Sequence, residues 1–186
     1  MLAMESYPAL VLNADYRPVR TYPLKRYSWR KSIEQFLAGR VTVVAEYDRV
    51  VRSERMEIRI PSVVALNRYE NLDRPAPLTR LGVFTRDRFR CAICGESFPG
   101  EQLTFDHVVP QSRGGRSTWT NLVAACLPCN QRKGDRSLAQ LGMKLVHEPY
   151  HPTLAQLNAI GATMPVADDI DRSWRDWLYW TVTLDP

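Results

Sequence analysis

The sequence predicts a mixed α+β chain in three parts: a small α+β unit over residues 1–78, a cysteine-knuckled module over 79–136 and a helical tail over 137–186. Three observations carry that prediction. Short apolar or alternating runs flank one helical period before residue 66, the mixture of periods 2 and 3.6 that an α+β unit requires. Four cysteines fall in two identical pairs, Cys91-Ala92-Ile93-Cys94 and Cys126-Leu127-Pro128-Cys129, separated by 31 residues. Near the C-terminus Ile170, Trp174, Trp177 and Leu178 stand at i, i+4, i+7 and i+8, the stripe of an amphipathic helix.

In order along the chain, Ala9 to Leu12 is an apolar run closed by Asn13-Ala14-Asp15, a strand and its turn. Ser28 to Ala38 is a helix, with Trp29, Ile33, Phe36 and Leu37 on one face and Gly39 where the helix terminates. Val41 to Tyr47 is a β-branched strand, and Met56 to Ile60 alternates apolar and charged residues until Pro61 stops it. A Pro-bearing connector from Asp73 to Leu78 leads into the module. There Leu103-Thr104-Phe105 is a short strand, Arg113-Gly114-Gly115-Arg116 a flexible turn, Asn121 to Ala125 a short helix, and Pro128 to about Arg132 a second one. No internal repeat or low-complexity tract occurs.

Composition narrows the function classes. No apolar run approaches the ~20 residues of a membrane span, and Met-Leu-Ala-Met-Glu-Ser lacks the basic start and apolar core of a secretory signal, so a cytoplasmic protein without a membrane partner is expected. The net charge of +5 is unevenly placed: +4 over 1–79, +4 over 80–136 and −3 over 137–186. The basic excess suits a polyanionic partner.

A C-x2-C knuckle grips a metal from a tight turn, and two of them give four thiolates and a closed tetrahedral zinc shell at Cys91, Cys94, Cys126 and Cys129. Two disulfides or four inert thiols are the alternative, and thiolate ligation fits the reducing cytoplasm better. A closed shell has no position for activating water, so any chemistry belongs to the residues between and beside the pairs. Those are Asp106-His107, Asn121 and Asn130, the last directly after Cys129, where a knuckle fixes the backbone.

The run Phe105-Asp106-His107-Val108-Val109-Pro110-Gln111-Ser112-Arg113-Gly114-Gly115, with Asn121-Leu122-Val123 and Cys126-Leu127-Pro128-Cys129-Asn130-Gln131-Arg132-Lys133-Gly134, resembles the HNH endonuclease family in its zinc-binding, four-cysteine form. Phe84 to Cys91 is similar to the lead-in of its zinc-binding members, and the N-terminal part resembles a unit often joined to such modules in bacteria. The likeness covers about residues 80–136.

The resemblance implies a ββα-metal fold and a metal-dependent endonuclease hydrolysing DNA phosphodiester bonds. In it Asp106 and Asn130 would be ligands of a catalytic divalent ion, His107 the general base toward water, and Asn121 the group that holds the loop carrying His107. The third signature position is Asn rather than His, an oxygen ligand, so Mg²⁺ or Mn²⁺ is expected there beside the structural zinc.

Several residues have a plainer reading. Asn121 and Asn130 are also good helix-start residues. Arg113, Arg116, Arg132 and Lys133 either cradle phosphates or form a solvated basic face. His147 and His151 are structural or exposed; Trp174, Trp177 and Trp180 are core or dimer packing before they are base-stacking platforms. Arg20, Lys25, Arg26 and Arg30 among Tyr22, Tyr27 and Trp29 are a snorkelling helix face before they are a DNA-binding arm. The rival functions are a zinc-ribbon-like DNA- or protein-binding module without catalysis, and a nuclease acting on RNA or single strands. Double-stranded DNA is the expected substrate, and the last helix the expected interface of any homodimer.

Overall fold

The computed structural model describes residues 7–54, 56–165 and 170–178. By contact the chain divides into two compact units: residues 1–72 with 161–186, and residues 73–160. The expected tail is therefore shared between them.

In the first unit β1 (Ala9–Leu12), β2 (Arg26–Tyr27), β3 (Val41–Arg52) and β4 (Glu57–Leu66) form one sheet in the order β2-β1-β4-β3, with α1 (Trp29–Leu37) between β2 and β3. β1 pairs parallel with β4 and antiparallel with β2. Its four residues are apolar throughout because both faces are covered. Ala9 and Val11 pack with Val19, Val41 and Val64, whereas Leu10 and Leu12 pack with Val63, Ala65 and Trp174.

α1 begins at Ser28, whose hydroxyl caps the Lys31 N–H. Its fully buried side chain is Ser32, while Phe36 and Leu37 remain 41% and 57% exposed, so the apolar stripe read from the sequence is only partly buried.

β4 does not stop at Pro61 but runs to Leu66. Pro61 faces Glu46 of β3 where the ladder shifts register, and the pairing with β1 starts only at Val63. A residue without an N–H is tolerated at such an irregularity.

The second unit contains α2 (Arg80–Arg86), β5 (Leu103–His107), β6 (Leu122–Cys126), α3 (Leu127–Lys133) and α4 (Leu154–Gly161). Thr79 caps α2 through the Gly82 N–H at 3.0 Å. β5 and β6 are antiparallel in unbroken register from Leu103↔Cys126 to His107↔Leu122, and α3 follows β6 directly, giving β, β, α. The short helix expected over Asn121 to Ala125 is thus a strand. Leu122 to Cys126 is buried at every position, so its sequence shows no alternation, and such a short apolar run carries no period that separates strand from helix. Its core joins Leu103, Leu122 and Ala124 to Val83, Phe84 and Trp119.

Ile170, Trp174, Trp177 and Leu178 pack on the β1 and β4 side chains of the first unit through a 3-10 turn (Arg172–Trp174) and α5 (Arg175–Leu178). Trp180 lies outside the described residues. No helix among the described residues is long and apolar enough to cross a membrane.

Candidate functional site

The two cysteine pairs are brought together by backbone geometry. After α2 the chain turns through Cys91 to Cys94, with the Gly95 N–H on the Cys91 carbonyl and Gly95 at φ +79°, a conformation that favours glycine. The Ala92 N–H donates to the Ala124 carbonyl at 2.8 Å, which ties this knuckle to β6, and β6 delivers Cys126 and then Cys129 on the first turn of α3.

All four Sγ atoms lie within 4.8 Å of one another. Zn–S bonds of about 2.3 Å place the sulfurs of a tetrahedron roughly 3.8 Å apart, so the cluster fits a zinc ion with a slight contraction. The electrostatics agree. Burial opposes ionisation of Cys91, but N–H groups of Cys94, Cys126 and Ile93 outweigh it and hold that thiol below its ordinary range. Burial, with the Cys91 sulfur, pushes Cys94 up against the opposing pull of the Glu96 N–H, and burial with the Cys126 and Cys91 sulfurs pushes Cys129 up. Ionising all four thiols so close together would require a cation between them.

β5 ends in Asp106 and His107, whose side chains alternate across the strand. Asp106 shares its face with Thr104, and α3 reaches both. The Asn130 Nδ2 donates to Thr104 Oγ1 at 2.7 Å, and the Lys133 Nζ donates to Asp106 Oδ1 at 3.1 Å. Asn130 and Lys133 are one helical turn apart, so the two contacts run side by side and turn Asn130 and Asp106 toward the same strand–helix seam.

Asp106 is 8% exposed, and its Oδ2 is a buried oxygen without a hydrogen-bond partner. The Lys133 ammonium lies 3.0 Å from that oxygen without hydrogen-bond geometry, so a carboxylate lone pair is left that a hard cation can take, and the Asn130 amide oxygen is of the same hard class. The residues present fit a divalent ion.

On the other face His107 Nε2 and Ser117 Oγ share a hydrogen bond of 3.0 Å. The loop between β5 and β6 is clamped by Asn121. Its Oδ1 accepts from the Val109 N–H at 2.8 Å, and its Nδ2 donates to the carbonyls of Val109 and Arg116 at 3.1 and 2.9 Å. The turn expected to be flexible at Arg113 to Arg116 is closed by the same contacts.

Arg113, Arg116 and Arg132 are exposed. Lys133, grouped with them in the sequence, is 1% exposed and points inward, where its Nζ also donates to the His107 carbonyl at 2.7 Å. The C-terminal end of α3 packs its side chain against β5, so it offers no ammonium to solvent.

Sequence reasoning passed over a second polar cluster. Arg86 and Asp87 form a fully buried pair at 2.7 Å, and the guanidinium also donates to the carbonyls of Trp119 and Leu122. Asp87 accepts the Ala124 N–H at 2.7 Å and lies 3.0 Å from His147 Nε2. Each polar atom is matched, as burial of charge demands, and the cluster straps α2 to β6. The adjacent opposite charges at 86 and 87, straight after an apolar helical stretch, were the available signal. Ser117 offered none.

The family profile of HNH endonucleases matches residues 91–146, and that of the HNH endonuclease-associated N-terminal domain matches residues 9–74. A CRISPR-associated endonuclease Cas9 of Corynebacterium diphtheriae is 38% identical over 65 residues, covering 34% of this chain. The matched stretch is 6% of that protein's length.

Proposed function

We propose that this chain, which belongs to the HNH endonuclease family, is a metal-dependent nuclease that hydrolyses phosphodiester bonds of double-stranded DNA. The observation that carries the reading is the buried carboxylate of Asp106 at the end of β5, whose Oδ2 makes no hydrogen bond although the Lys133 ammonium lies 3.0 Å away, adjacent in sequence to an imidazole already held through one ring nitrogen.

Asp106 and Asn130 would hold Mg²⁺ or Mn²⁺, whose chemistry there is to stabilise charge developing on the phosphate and the leaving 3′ oxygen. His107 accepts the proton of the attacking water. Ser117 fixes the ring by its hydrogen bond, and Asn121 fixes the loop that carries Ser117. Exposed Arg113, Arg116 and Arg132 bind phosphates flanking the scissile bond.

The cysteine cluster would hold zinc and act structurally, as one end of α3, and its thiols suit the cytoplasm. One such site cuts one strand at a time. A homodimer would bring a second, although Trp174, 1% exposed, is already packed inside its own unit and leaves less of the last helix for that interface.

The test is supercoiled-plasmid cleavage with Mg²⁺ or Mn²⁺, wild type beside His107→Ala. The variant should be slower by about 100-fold or more, the size of a lost general base, and nicked circles should precede linear product. Equal cutting by both proteins sinks the assignment of His107. DNA binding without cleavage by either would leave a zinc-bearing binding module instead, and preferential cutting of RNA or single strands would change the substrate.

A further inference from the structure

A buried cation has no part in the mechanism above. Lys133 closes α3 with 1% of its surface exposed, a position an ammonium group occupies only when paired. Its Nζ donates to Asp106 Oδ1 at 3.1 Å and to the His107 carbonyl at 2.7 Å. It also lies 3.0 Å from Asp106 Oδ2, without hydrogen-bond geometry to that oxygen. Both residues at the end of β5 are therefore held by one ammonium, and one carboxylate faces two cations: Lys133 beside it and the divalent ion it would ligate.

We propose that Lys133 is a positioning residue and the resident counter-cation of Asp106, which weakens metal binding to the free site and couples tight loading to the arrival of a phosphodiester. The proposal rests on the reading of Asp106 as a metal ligand.

The charge balance drives it. With the ion in place and no substrate, the carboxylate, the ammonium and the ion leave a formal excess of two positive charges, partly buried, and like charges a few ångströms apart repel strongly there. A phosphodiester removes one of the two. The ion and the phosphate then favour each other's binding by the same factor, as linkage requires. The hydrogen bonds to Oδ1 and to the His107 carbonyl meanwhile fix the carboxylate and anchor the backbone from which the imidazole projects, while the ammonium 3.0 Å from Oδ2 competes with the ion for that oxygen.

The experiment is Mn²⁺ binding to the full chain, read from the paramagnetic resonance of free Mn²⁺, with and without a duplex oligonucleotide. A His107→Ala background keeps the duplex intact, and Lys133→Gln, Lys133→Met and Asp106→Asn are compared within it. Without DNA, both Lys133 variants should bind Mn²⁺ about tenfold more tightly, within the range that neighbours of a metal ligand exert. The oligonucleotide should raise their affinity by a smaller factor than it raises that of Lys133.

With His107 restored, the Lys133 variants should need less Mn²⁺ for half-maximal cleavage yet reach a lower kcat. A side chain that merely supports the fold would lose Mn²⁺ affinity on replacement, the opposite direction. Unchanged or weaker binding in both variants, with binding still lost in Asp106→Asn, overturns the counter-cation alone. Mn²⁺ binding that Asp106→Asn leaves intact overturns the metal reading of Asp106 together with it.

Discussion

A methyl group at residue 115 would collide with the Val109 carbonyl oxygen and meet the Asn121 Nδ2 at 3.0 Å. The neighbour on one side is backbone, which cannot step aside, so glycine is required there for close approach. The Asn121 amide matters at the same place, because its three hydrogen bonds hold residues 109 and 116 together and with them the stretch bearing Ser117. Asn121→Ala should cost only about 1 kcal/mol of stability, since the groups it leaves are near solvent and regain water. Cleavage should fall much further, by roughly 100-fold, because a general base displaced by about an ångström is misaligned. Thermal melts beside single-turnover cleavage make the check, and equal small losses in both would show that Asn121 is only a turn residue. Asn121 and His107 were legible in the sequence because the runs that carry them resemble those of the HNH family. The inward course of Lys133 was not, since a lysine between arginine and glycine reads as surface.

At the scale of elements, the four cysteines join the turn that follows α2 to the start of α3, and α3 carries both Asn130 and Lys133. α3 has seven residues, too few to be stable alone, so its position depends on Cys126, Cys129 and the packing of Lys133. The knuckles and the helix after them were readable because turn geometry and ligand spacing are local. The strand at Leu122 to Cys126 was not, since its identity is decided by pairing with β5 across the hairpin loop. Pro61 misled for the same reason: whether proline ends a strand depends on the partner's register. A chelator that strips zinc should therefore abolish cleavage in a way that excess Mg²⁺ or Mn²⁺ does not reverse, while zinc added back with Mg²⁺ restores it. Amide exchange in residues 127–133 should accelerate in step. Full activity in zinc-free protein would remove the structural role from the cysteine cluster.

For the molecule as a whole, the chain leaves its first unit at residue 72 and returns to it at 161. The amphipathic spacing near the C-terminus showed that Trp174 would be buried, but not against which partners, because nothing local encodes a packing partner more than a hundred residues away. Those partners are Leu10, Leu12, Val63 and Ala65 on β1 and β4, with the indole N–H donating to the Ser62 carbonyl at 2.7 Å and the Arg26 guanidinium 5.3 Å from the ring centroid. Trp174→Ala would empty the largest fully buried side-chain site of the described residues and strip the Ser62 carbonyl of its donor. A loss of about 3–5 kcal/mol is the usual result of removing a buried tryptophan. It should fall on the first unit alone: exchange protection over residues 9–12 and 63–65 should drop, while protection over 103–107 and 122–126 and the zinc content stay as in wild type. Hydrogen exchange followed by mass spectrometry resolves the two sets of peptides. If protection fell equally in both, the units would unfold together and the division of labour between them would have no thermodynamic counterpart.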